Sequence, residues 1–193
     1  MANTIALALG DEGLQITQLA RIIITHQDLD HIGALRDLKA GSGATIMAHS
    51  IEAPYIDGRQ ELVKFTLFKD RPDIAVMKAA FQPNPVEQLL EDGDRLDLAG
   101  GVQVIFTPGH SPGHICLYLE RNKTLIAGDA LTTAEGRLQG PNPPVTPDMP
   151  RAIKSVQRLA QLDVAAIVCY HGGVVQDDAN NQLRRLAQEL AAA

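Results

Sequence analysis

The stretch Thr25-His26-Gln27-Asp28-Leu29-Asp30-His31 constrains this chain more than any other. Four potential metal ligands, His26, Asp28, Asp30 and His31, fall within six residues. They directly follow Arg21-Ile22-Ile23-Ile24-Thr25, a β-branched run that reads as a buried strand. A loop at a strand end can turn several such side chains toward one point, whereas a helix cannot place all four on one face. Imidazole and carboxylate are the ligands that zinc, iron and manganese take.

Three further segments repeat the arrangement. His110 follows the strand-like run 102–107 within Thr107-Pro108-Gly109-His110-Ser111-Pro112-Gly113-His114. Asp129 follows 124–127 in Ala127-Gly128-Asp129, and His171 follows 165–170 in Cys169-Tyr170-His171-Gly172-Gly173. Each candidate sits where a buried strand ends and a glycine permits close backbone approach. Any one of them alone reads as an ordinary solvated or capping loop residue. Four such segments in a chain with only 6 histidines read as a metal site. His114 reads as a loop-orienting residue and His49 as packing or pocket wall.

The remaining pattern suits an α/β layer. A short helix is expected to end near Gly13, and Ile32, Leu35 and Leu38 recur at helical spacing before Gly41 and Gly43. Residues 44–48 read as a second strand. Residues 59–85, with Leu62, Phe65, Phe68 and Phe81 and several prolines, read as helical pieces forming a lid or pocket wall. Short strands are expected at 94–98, 102–107, 115–119, 124–127 and 165–170, with a proline-rich loop over 132–150. Asp148 is placed to cap a helix over 150–161, and 177–193 reads as a terminal helix. With 193 residues the expectation is one domain, 1–193.

Composition excludes several classes. Apolar residues make up 45% and charged residues 21%, so the chain can bury a core and disorder is not its main state. The net charge of −6, with no Trp, argues against nucleic acid or an anionic membrane as partner. No run reaches a membrane span, and the first ten residues lack a positively charged start, so a cytoplasmic location is expected. Cys116 and Cys169 lie in apolar runs and read as buried free thiols.

The ordered set of segments resembles the metallo-β-lactamase superfamily over about residues 20–175. That family's first signature, His-x-His-x-Asp-His, is matched by His26, Asp30 and His31; His110, Asp129 and His171 match the later isolated His, bridging Asp and final His. The Thr-Pro-Gly-His and Leu-Ile-Ala-Gly-Asp-Ala stretches look like the hydrolase branch that includes lactonases and thioesterases. The resemblance implies an αββα sandwich and two divalent transition metals, zinc first and iron or manganese as alternatives. His26, Asp28 and His110 would hold one, Asp30, His31 and His171 the other, and Asp129 would bridge them. It implies a metal-dependent hydrolase in which a metal-bound hydroxide attacks an ester, thioester, lactone or lactam carbonyl. Asp30 would be the catalytic group shuttling a proton.

Two departures stand out. Asp28 occupies the position of the family's second histidine, a harder, charged donor that could favour iron or manganese. Family members also begin with several strands and an Asp-x-Gly turn before the histidine loop, which leads us to expect a sandwich lacking its first N-terminal strands, with an open sheet edge and homodimerisation through it. Two alternatives stay open: a one-iron sulfur dioxygenase, and a metal-binding fold without turnover.

Overall fold

The computed structural model describes residues 2–192. They divide after Leu90 into two compact units, each with its own sheet.

The first unit starts with α1 (Ala2–Asp11) and a short 3₁₀ turn, then β1 (Arg21–Ile24). The expected helix after the histidine loop is broken at Gly33-Ala34 into α2 (Leu29–Ile32) and α3 (Leu35–Ser42). Then come β2 (Thr45–His49), α4 (Ala53–Ile56), α5 (Val63–Leu67), α6 (Ile74–Ala80) and β3 (Gln88–Leu90). The three strands form a parallel sheet in the order β1-β2-β3, with Ile24 opposite Ala48 and His49 opposite Leu90. β3 was not expected, because a three-residue strand is too short to show a period.

The core of this unit gathers Ile24, Ile32, Leu35, Ile46, Ala48, Ile56, Leu62 and Phe65. Fully burying each large aliphatic side chain of this kind contributes about 1.5–3 kcal/mol. Leu62 and Phe65 are therefore core residues, and Phe81 packs edge-on against Phe65 with ring centres 6.2 Å apart.

The second unit comprises β4 (Arg95–Leu96), β5 (Val102–Phe106), β6 (Ile115–Leu119), β7 (Thr124–Gly128), β8 (Thr132–Ala134), β9 (Arg137–Gln139), α7 (Met149–Leu159), β10 (Ala166–Cys169), β11 (Gly173–Val175) and α8 (Ala179–Ala192). Six strands form one sheet in the order β11-β10-β7-β6-β5-β4, mostly antiparallel, with β7 and β10 parallel and joined through α7. Asp148 caps α7 by accepting from the Arg151 N–H at 3.0 Å, as its position suggested. The segment read as a proline-rich loop instead opens with the β8–β9 hairpin. Its turn is Glu135-Gly136, both at positive φ, a signal that the prolines farther along masked.

Val156 and Leu159 of α7 and Leu183 of α8 pack with Leu125 and Ile167 in one core. Among the described residues no helix is long and apolar enough to cross a membrane.

Candidate metal centre

In the first unit, β1 delivers the chain into Thr25-His26-Gln27-Asp28. The Asp28 carbonyl accepts from the N–H groups of His31 and Ile32 at 2.9 and 3.0 Å, starting α2. Its carboxylate does not cap that helix. Asp28 Oδ2 instead lies 3.6 Å from Nε2 of the fully buried His26. His31 Nε2 stands 3.7 Å from Oδ2 of the half-exposed Asp30, and the rings of His26 and His31 lie 4.0 Å apart. Thr25 Oγ1 lies 3.1 Å from His26 Nδ1. With the proton on Nδ1, donated to that hydroxyl, His26 Nε2 keeps its lone pair for a metal.

Two residues that sequence reasoning missed frame this loop. The Gln27 side chain accepts from the half-buried Val63 N–H at 2.7 Å and donates to the buried Glu52 at 3.0 Å. Lys64, the residue after Val63, is itself buried, and its Nζ lies 3.5 Å from Asp28 Oδ2. Their one sequence signal is the run Leu62-Val63-Lys64-Phe65, a charge inside an apolar stretch.

In the second unit, Asp129 Oδ2 lies 3.5 Å from His110 Nε2 and 3.4 Å from His171 Nε2. One carboxylate oxygen thus faces two imidazoles. His110 Nδ1 is 3.4 Å from Thr146 Oγ1, whose own proton goes to the Asn142 carbonyl at 2.8 Å. The hydroxyl therefore accepts from Nδ1–H, which leaves the lone pair on His110 Nε2, the atom that could hold a metal.

Two glycines make these loops fit. Gly109 has φ +136°, and a Cβ there would meet the backbone N of Ala152 at 2.3 Å. Gly172 has φ +105°, and a Cβ there would meet the Thr133 carbonyl oxygen at 1.9 Å. Both loops are clamped elsewhere: Ser155 donates to the Pro108 carbonyl at 2.8 Å, and the Thr133 N–H donates to the His171 carbonyl at 3.0 Å.

His114 and His49 have the structural roles expected. His114 is fully buried and accepts from the Asp129 N–H on Nε2 at 3.1 Å. His49 Nδ1 accepts from the Ile51 N–H at 3.1 Å.

The donor chemistry fits a transition metal. Two donors each about 2.0–2.2 Å from one tetrahedral ion stand about 3.3–3.6 Å apart. Three of the His–Asp pairs, at 3.4, 3.5 and 3.6 Å, lie in that range, too long for good hydrogen bonds.

The family model described as the metallo-beta-lactamase superfamily matches residues 1–171. The chain belongs to that superfamily. It is 30% identical to the "Probable metallo-hydrolase YflN" of Bacillus subtilis (strain 168), over 91% of this chain and 73% of that one. It is 34% identical to a hydroxyacylglutathione hydrolase of Rhizobium meliloti (strain 1021), over 59% of this chain and 34% of that longer protein. Among solved structures, a metallo-beta-lactamase family protein of Thermus thermophilus superposes with TM-score 0.74 at 29% identity, covering 98% of this chain and 65% of that one. The fold is that of the metallo-β-lactamases, and the chain is an enzyme of this superfamily's metallo-hydrolase kind, whose members bind divalent metals.

Proposed function

We propose that the chain hydrolyses an ester, thioester, lactone or lactam bond of a small molecule, using two divalent transition metals, zinc first. The donors would be His26, Asp28, Asp30, His31, His110, Asp129 and His171. The observation that carries the reading is the Asp129 oxygen facing two imidazoles at 3.4 and 3.5 Å, the disposition a bridging carboxylate needs. The hydroxyacylglutathione hydrolase relative supports a carbonyl substrate.

When bound, the metals would supply Lewis acidity toward a carbonyl and acidify water. The chain's own residues do the rest. Thr146 sets the tautomer of His110, and Thr25 holds that of His26 when it accepts from Nδ1–H. Asp30, half-exposed, can exchange protons with solvent and is the group we assign to pass one to the leaving atom. Two free buried cysteines suit a cytoplasmic setting.

The test is turnover of an ester, thioester, lactone and lactam panel by zinc-, iron- or manganese-reconstituted protein. Hydrolysis of at least one, abolished by chelator and by Asp129→Ala, is expected. Full metal loading with no hydrolysis, or oxygen uptake with a persulfide instead, overturns it.

A further inference from the structure

Asp28 stands where the superfamily's signature has a neutral imidazole, so the substitution adds a negative charge to the donor set. The same carboxylate oxygen that faces His26 Nε2 at 3.6 Å lies 3.5 Å from the Lys64 ammonium. Both side chains are largely withdrawn from water, Lys64 at 9% and Asp28 at 12% exposure. A buried ammonium is costly without an anion beside it.

Its placement is built by the neighbouring residues. The side-chain amide of Gln27 fixes the Val63 N–H, so residues 27 and 63 are tied together and residues 28 and 64 come into register next to them. The other end of that amide is anchored on Glu52, which stops it rotating.

We propose that Lys64 is a positioning residue that cancels the charge of Asp28, so that the Asp28–Lys64 pair offers a metal the net charge of the histidine it replaces. The proposal rests on Asp28 being a ligand. A carboxylate shared with an ammonium is a weaker and less charged donor than an unshared one, which keeps the site from drifting toward hard cations such as manganese.

The consequence is non-additive. Asp28→His alone restores the family's residue yet leaves the Lys64 charge beside an imidazole, where it repels any cation. Asp28→His with Lys64→Met removes both charges together.

The experiment measures zinc and manganese affinity by chelator competition, with metal content per chain and thermal melts of the metal-free and loaded forms. Asp28→His should bind zinc about tenfold or more weakly than wild type, while the double variant returns to within about threefold. Lys64→Met should shift the manganese-to-zinc affinity ratio upward by about fivefold, and Lys64→Arg should not. Asp28→Ala separates the two readings. If it binds zinc like wild type, Asp28 is not a ligand and both fall. If it loses zinc but Asp28→His binds as tightly as the double variant, the role of Lys64 alone is overturned. Should Asp28→His fail to fold, equal manganese-to-zinc ratios in wild type, Lys64→Met and Lys64→Arg would overturn it.

Discussion

The backbone N–H of Asp129 donates to Nε2 of His114 at 3.1 Å, and that bond fixes the rest of a buried chain of polar groups. Because Nε2 accepts, the His114 proton is on Nδ1 and goes to Thr107 Oγ1 at 2.8 Å. Thr107 passes its proton toward Cys116 Sγ at 3.2 Å, and the Cys116 thiol donates to the Ala127 carbonyl at 3.3 Å. The chain returns to the backbone two residues before Asp129, so β5, β6 and β7 jointly aim that carboxylate.

His114→Ala should therefore weaken zinc binding by about tenfold without removing a ligand. Asp129→Ala should cost more, since it deletes the carboxylate itself. Metal content after zinc reconstitution decides it, and equal losses would show that His114 does not act through Asp129.

Metal should also stabilise the fold. A ligand that binds only the native state raises stability with its concentration, by about 2.7 kcal/mol at a hundredfold excess over Kd. Up to two metals per chain are expected, with a melting temperature that falls on chelation. Less than about half a metal per chain after loading would contradict the donor assignment.

Burial pushes the Cys116 thiol up to about 12, against a partial lowering by its bond to Thr107. The thiol stays protonated at neutral pH and should resist alkylation in the native protein while reacting freely once unfolded. The linkage runs one way. The folded pKa lies above the ordinary value of 9.0, so the stabilisation is intact below about pH 9 and declines as pH rises toward about 12. Chemical denaturation across that window should show stability falling, and Cys116→Ser should flatten the decline.

The four candidate loops were legible because each is a short apolar strand ending in a histidine or an aspartate, a pattern that survives without tertiary information. His26, Asp28, Asp30 and His31 sit beside one another because α2 starts directly after Asp28, and the sequence carries that turn locally. Lys64 and Gln27 were not legible. Their role depends on α5 lying against a loop some 36 residues earlier in the chain, and no period announces a contact at that separation. β8 and β9 escaped notice because three-residue strands show too little alternation beside five nearby prolines.

Gly109 should tolerate no side chain. Its φ of +136° is a conformation that a residue with a Cβ rarely adopts, which alone costs about 1–3 kcal/mol. A Cβ would also meet the Ala152 backbone N and Cα at 2.3 and 2.5 Å, and that first turn of α7 is held by the Asp148 cap and by Ser155 on Pro108. Backbone on both sides cannot yield cheaply, so the 109–110 loop must move instead, carrying His110 away from Asp129. Gly109→Ala should thus lower the melting temperature of the metal-free protein and, separately, weaken zinc binding. Ala152→Gly, which clears the 2.5 Å clash with that residue's own Cβ but leaves its backbone in place, should rescue only part of the loss. A Gly109→Ala protein melting within about 2 °C of wild type and binding zinc as tightly would show that this loop is not held as the geometry requires.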